Sequence, residues 1–275
     1  MYTYIDSIED LAYLNEELLN KSYVGVDTEF RRTTKDNMRL ALLQINDEDE
    51  IYLIDTLLID DPKDKCSFLY SDSVTKILHS CKEDLEAIYS WTNKKMCNVF
   101  DTQIANAFLN GDYSVSYRLL VEKKLGIILE KNETRSNWLR RPLTDSQLKY
   151  ASLDVEYLIN LFLDQREELE TSKKLNWHDE DISQLIKVTF ERHDNSRELV
   201  RSLPKAREEE MLYMLNNAVQ KIAAREDINP TLFFSKKSQK DFLRLTLIRG
   251  IDLSLSEITD WRGKLIKDDI LNILK

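Results

Sequence analysis

The sequence predicts a mixed α/β layer fold followed by a smaller all-α region. Three observations carry this expectation. Runs of β-forming residues alternate with amphipathic helical stretches up to about residue 170. The β signal then fades, and residues 206–275 break into short helical segments separated by Pro230, Gly250 and Gly263. No internal repeat of fixed period is present.

The elements follow in order. Ser7 precedes the periodic apolar positions Ile8, Leu11, Leu14 and Leu18 and is placed to cap that helix. SYVGVDTEF, LALLQI and IYLID read as strands, with the acidic turn NDEDE between the last two, giving an early antiparallel meander. SVTKILHS reads as a helix end and a strand, CKEDLEAIYSW as a helix, and NVFDTQIANAFLN as a short strand running into a helix. YRLLVEKKLG is a helix stopped at Gly126. Thr144 and Gln147 have capping-box spacing just after Pro142, and open one long helix with the stripe Leu148, Ala151, Val155, Leu158 and Leu161. Five segments follow 206: EEEMLYMLNNAVQKIAARE, TLFF, SQKDFLRLTLIRG, SLSEITDW and IKDDILNILK.

The 275 residues are 42% hydrophobic and 32% charged, which is ordinary globular composition. The longest strictly apolar runs are about four residues, too short to span a bilayer. The amino-terminal stretch has no basic and apolar regions of a secretory signal, and three cysteines without a CxxC fit a reduced, cytoplasmic setting and disfavour zinc. The net charge of −10 is unevenly placed: residues 192–275 carry 16 Lys+Arg and 13 Asp+Glu. The preceding part is strongly acidic, so the overall sign does not exclude a nucleic-acid partner.

Asp27 and Glu29 stand two apart in a strand and point to one side of it. Val24, Val26 and Phe30 around them suit a buried strand, and acids buried there cost several kcal/mol unless compensated, as by a divalent cation. A solvent-facing D-x-E at a strand end is the plain alternative. Tyr150 and Asp154 stand four apart and share a helix face; the plain alternative is a half-buried tyrosine beside a surface acid. Taken singly, Asp84 reads as a charge that favours the start of its helix. Together, hard oxygen donors without a His or Cys cluster favour Mg²⁺ or Mn²⁺, and two such ions can clamp both oxygens of a phosphodiester.

VDTEF, HSCKEDLEAI, FDTQIANAFLN and SNWLRRPLTDSQLKYASLDVEYL, in this order, resemble the motif series of ribonuclease D, a family of DEDD 3′–5′ exonucleases whose third motif is Tyr-x-x-x-Asp. The resemblance spans about residues 20–165. It implies a ribonuclease H-like mixed sheet flanked by helices. It also implies that Asp27, Glu29, Asp84 and Asp154 bind two divalent cations. Asp27, Glu29 and Asp154 would hold the ion that carries the attacking water, Asp27 also the ion at the leaving oxygen, and Asp84 would act through water. Tyr150 would orient the nucleophile. Two departures stand out: Asn137 where the family has Asp, and TTKDNMRL where it often has an aromatic, proline-containing stretch.

The tail, above all ITDWRGKLIKDDILNIL, resembles the small all-α HRDC module of the same family. The expected organisation is 1–170 exonuclease domain, 171–205 helical connector and 206–275 HRDC-like domain. The implied activity is removal of nucleotides from RNA 3′ ends, with tRNA precursors or other structured RNA as substrates, in the cytoplasm and with no membrane and no obligate protein partner. A 3′–5′ DNA exonuclease of the same fold and a catalytically idle RNA-binding module are the alternatives.

Further substrate contacts are expected at Phe30, by stacking on the terminal base or else as plain core, and at His79, as a nucleotide-edge or structural group. Arg140 and Arg141 either hold phosphate or are solvated beside a Trp138 anchor. Lys237, Lys240 and Arg244 share helical spacing in a basic run and are candidates for phosphate contact.

Overall fold

A computed structural model of the chain describes residues 2–34, 37–129, 136–191 and 205–274. Lys35 and Asp36 of TTKDNMRL, and residues 192–204 of the expected connector, lie outside that set. The chain divides into two units, Met1–Gln103 with Val115–Glu167, and Ile104–Ser114 with Glu168–Lys275.

The first unit is built on a six-stranded mixed sheet of order β1-β4-β3-β2-β5-β6. The strands are β1 (Tyr2–Ile5), β2 (Tyr23–Thr34), β3 (Asn37–Asn46), β4 (Ile51–Ile54), β5 (Thr75–Leu78) and β6 (Val99–Asp101). β2, β3 and β4 form the expected antiparallel meander. Its acidic turn is held by its own side chains: Asp47 Oδ1 accepts the Asp49 and Glu50 amides at 3.1 and 2.8 Å, and Asn46 Oδ1 accepts Glu48 N at 2.9 Å. The apolar residues Val24, Val26, Leu42, Leu43 and Ile45 are fully buried, which makes β2 and β3 the centre of the core. β1, which the sequence pattern leaves unassigned, pairs in parallel with β4. Its partner lies far along the chain, so no local periodicity announces it.

Helices α1 (Ile8–Leu18), α2 (Lys82–Thr92), α3 (Thr102–Phe108), α4 (Tyr117–Leu125), α5 (Asp145–Glu156) and α6 (Leu158–Thr171) complete this part of the chain. Their ends obey local rules. Ser7 accepts Asp10 N, and Thr144 and Gln147 form a reciprocal capping box. Gly126 closes α4 at φ 72°, in the left-handed region where a side chain is strained.

The single long helix expected from residue 145 onward is broken at Tyr157 (φ −110°, ψ 8°). The amide of Asn46 on β3 donates to the carbonyls of Val155 and Glu156 and so interrupts the helical ladder. Gly25 faces the same break. A Cβ there would lie 3.2 Å from Leu158 Cβ and 3.4 Å from the Val155 carbonyl oxygen, so a glycine lets the helix approach the sheet.

The second unit contains α3 from Ile104 onward, with Phe108, and α7 (Leu175–Phe190), α8 (Lys205–Arg225), α9 (Pro230–Phe233), α10 (Lys236–Arg249), α11 (Ile251–Ser256) and α12 (Asp260–Ile273). Trp261 stacks on Trp177 at 5.0 Å and meets Phe108 at 5.2 Å. Asp181 of α7 receives Trp261 Nε1 at 2.8 Å and both terminal nitrogens of Arg262. Residues 175–190 of the expected connector therefore pack with the C-terminal helices. The segment SLSEITDW is not one helix: α11 ends at Ser256 and Trp261 lies in the first turn of α12, where its amide is bonded by Glu180 Oε2 at 3.1 Å. Among the described residues no helix is long and apolar enough to cross a membrane.

Candidate active site

β2 is central in the sheet, and its pleat turns Gly25, Asp27 and Glu29 to one face and Val24, Val26 and Thr28 to the other. α5 packs on the first face, since Asn46, the partner of Gly25 on β3, bonds its last turn. Asp154 in that turn therefore meets the acid pair. Carboxylate oxygens of Asp27, Glu29 and Asp154 all lie within 4.8 Å of one another. They line a cavity of about 250 Å³ together with Thr28, His79, Tyr117, Tyr150 and Leu158.

Asp84, in the first turn of α2, stands outside that group of three. The pleat explains its place: Thr28 points away from Asp27, and its hydroxyl donates to Asp84 Oδ1. The turn before α2 is in turn set by Asp101, which accepts the amides of Ser80 and Cys81 at 3.1 and 2.8 Å. Neither Thr28 nor Asp101 stands out by residue type, and only their long-range partners reveal their roles.

All four carboxyls are pushed above the ordinary carboxylate range. Burial dominates for each of them. For Asp27 the charges of Asp84, Asp154 and Glu29 add to it. Glu29 is pushed up to about 9 by burial and then by Asp154 and Asp84. For Asp154 a hydrogen bond with Tyr150 and the charge of Arg118 oppose the rise. The Tyr150 hydroxyl is raised by burial and by the neighbouring acids, so it keeps its proton at neutral pH.

The remaining expected contacts divide. Phe30 is half-buried and lines a neighbouring cavity of about 360 Å³ with Arg31, Ser136, Asn137 and Trp138. His79 lines the acidic cavity, but Nδ1 lies 2.8 Å from Thr102 Oγ1 and Nε2 2.9 Å from the Val115 carbonyl. Both ring nitrogens are thus engaged within the protein, and burial lowers its pKa. Arg140 is exposed. Arg141 is half-buried, and its donors go to Asp55 and to the carbonyls of Trp138, Ala41 and Arg140. Burial alone would raise the fully buried Asp55 carboxyl, but hydrogen bonds from Arg141 and Tyr4 hold it below its ordinary value. Arg141 therefore ties the SNWLRR segment to the sheet. Arg141→Lys keeps the charge but loses the fork, and should cost about 2 kcal/mol in urea unfolding; a change below ~0.5 kcal/mol would contradict this role. On α10, Lys237 and Lys240 are exposed, whereas Arg244 Nε pairs with Glu208 at 2.8 Å.

A family model described as 3′–5′ exonuclease matches residues 2–170. The chain belongs to the 3′–5′ exonuclease family. Among its curated relatives, Ribonuclease D of Pseudomonas paraeruginosa is 37% identical over 193 residues, covering 70% of this chain and 51% of the relative. Ribonuclease D of Escherichia coli is 37% identical over 158 residues, covering 58% and 42%. The chain thus spans about half the length of the curated relatives it matches. The crystal structure of Escherichia coli RNase D, described as an exoribonuclease involved in structured RNA processing, superposes with a TM-score of 0.68 at 26% identity, over all of this chain and 74% of that one. The mixed sheet with flanking helices, followed by a helical region, is therefore the ribonuclease D arrangement, and this chain shares it.

Proposed function

We propose that this exonuclease hydrolyses RNA from the 3′ end, one nucleotide at a time, with two divalent cations and release of 5′-mononucleotides. The observation that carries the reading is the convergence of Asp27, Glu29 and Asp154 within 4.8 Å in a cavity also lined by Tyr150. The donor set fits Mg²⁺ or Mn²⁺, because it is all hard oxygen. Its raised carboxyl pKa values also mark a concentration of negative charge that lacks compensation. Asp27, Glu29 and Asp154, with Asp84 nearby, would hold such cations, which would supply Lewis acidity and lower the pKa of a water.

The side chains do the rest. Thr28 holds Asp84 in position beside Asp27. Tyr150, protonated at neutral pH, orients the nucleophilic water as a hydrogen-bond partner and does not act as its base. Phe30, beside the acids, provides an aromatic surface for the terminal base. The exposed Lys237 and Lys240 contribute to phosphate contact, while Arg140 is free of the Asp55 interaction that occupies Arg141. RNA is favoured over DNA because the curated relatives quoted above carry the name Ribonuclease D; precursors of tRNA and other structured RNA are the proposed substrates.

The test is degradation of matched 5′-labelled RNA and DNA oligonucleotides with Mg²⁺, Mn²⁺ or EDTA. Stepwise 3′ shortening of RNA, abolished by EDTA, is expected. RNA binding without metal-dependent shortening would leave only an idle module, and preferential shortening of DNA would overturn the substrate class. Tyr150→Phe should lower the single-turnover rate about 10- to 100-fold with little change in RNA affinity; an unchanged rate would remove Tyr150 from the mechanism.

A further inference from the structure

The last turn of α5 carries Asp154, and a helix end leaves its final four carbonyls without intrahelical donors. In this chain three of those four, on Leu153, Val155 and Glu156, receive side-chain donors from other elements. The Tyr117 hydroxyl of α4 donates to the Leu153 carbonyl at 3.2 Å and accepts Tyr157 N at 2.9 Å. The Asn46 amide nitrogen donates to the Val155 and Glu156 carbonyls at 3.0 and 3.1 Å. Its oxygen accepts Glu48 N, so every hydrogen-bonding group of that amide is used and its orientation is set.

Asp154 sits between the two attachment points. Asn46 stands opposite Gly25 in the β2–β3 ladder, two residues before Asp27 on β2. Its bonds therefore tie the helix that carries Asp154 to the strand pair that carries Asp27 and Glu29. Tyr117, which lines the cavity, ties the same turn from α4 and packs edge-on against His79 at 5.9 Å between ring centres. Metal affinity depends on the spacing of the ligand oxygens, and groups behind the ligands commonly set that spacing.

We propose that Asn46 and Tyr117 are positioning residues, a two-sided clamp on the end of α5 that sets the Asp154 carboxylate against Asp27 and Glu29 for divalent-cation binding. The inference rests on the reading of these three acids as metal ligands. Tyr117→Phe keeps the ring and removes both bonds. Asn46→Asp keeps the acceptor for Glu48 N and replaces the donor by an oxygen facing two carbonyls.

The experiment uses the full chain and Mn²⁺ alone, with affinity read by calorimetry or electron paramagnetic resonance, alongside kcat and KM on an RNA oligonucleotide. Tyr117→Phe should weaken Mn²⁺ binding about 10-fold, in the range found when groups supporting a metal ligand are removed. It should also lower kcat at fixed Mn²⁺ with KM changed less than about twofold, and added Mn²⁺ should restore part of the rate. Asn46→Asp should do the same more strongly. Melting temperature separates a structural role: a lower Tm with wild-type Mn²⁺ affinity in Tyr117→Phe overturns the clamp, even if Asn46→Asp fails to fold. Wild-type protein that binds no Mn²⁺ overturns both the clamp and the metal reading; wild-type binding with unaltered variants overturns the clamp alone.

Discussion

Asp27→Asn is expected to abolish metal-dependent hydrolysis while leaving the metal-free chain folded and somewhat more stable. Asp27 is the acid whose carboxyl feels all three of the others, Asp84 first, then Asp154 and Glu29. The substitution preserves shape, removes the charge and exchanges one acceptor oxygen for an NH2 group. A metal site contributes several kcal/mol to the stabilisation of a phosphoryl transition state, and at about 1.4 kcal/mol per tenfold the loss is on the order of 10³ in rate. Stability moves the other way. Burial and repulsion oppose ionisation at this position, so a neutral amide relieves a cost on the order of 1 kcal/mol at neutral pH. Circular dichroism melting in EDTA and a single-turnover assay with Mg²⁺ read the two effects. Activity within tenfold of wild type would remove Asp27 from the site, and a large fall in Tm would mean that its carboxylate is a structural acceptor.

The metal-free chain should lose stability as pH rises, and divalent cations should return it. Carboxyls raised in the folded state hold protons that the unfolded chain has already released. For Glu29 the interval runs from its ordinary value of 4.5 to about 9. Within it the folded state binds more protons, so unfolding becomes easier with each step up in pH. Asp27, Asp84 and Asp154 shift in the same direction and add to the slope. Cation binding needs these groups ionised, so its contribution grows as the protons leave. At a hundredfold excess over Kd the cation adds about 2.7 kcal/mol, equivalent to roughly 5–10 °C for a domain of this size. Melting curves across this range with EDTA or Mn²⁺ should diverge steadily toward the alkaline end. A cation-induced gain that stays constant, or a metal-free Tm that rises with pH, would contradict the assignment of these acids to one charged cluster.

Several features of the fold and the site are legible along the chain because they depend on near neighbours. The two-residue spacing of Asp27 and Glu29 places them on one face of a strand, and the four-residue spacing of Tyr150 and Asp154 places them on one face of a helix. Ser7, Gly126 and the Thr144–Gln147 box mark helix ends by chemistry that acts within a turn. Features set by distant partners are not legible in this way. Arg141 has the appearance of a free cation until Asp55 is folded against it. His79 offers two ring nitrogens until Thr102 and Val115 occupy them. The apolar stripe from Leu148 to Leu161 reads as unbroken, because nothing within it signals that Asn46 will interrupt it.

The sequence by itself determined which residue types were available for hard-cation chemistry, which pairs shared a face, and most of the succession of strands and helices after β1. Those properties come from backbone periodicity and short-range capping, whose reach is a few residues. Only the tertiary structure decided that Asp154 joins Asp27 and Glu29, that the Thr28 hydroxyl fixes Asp84 near Asp27, and that α5 ends where it does. Each of those outcomes is a contact between segments far apart in the chain, and its geometry is set by how the sheet and helices pack.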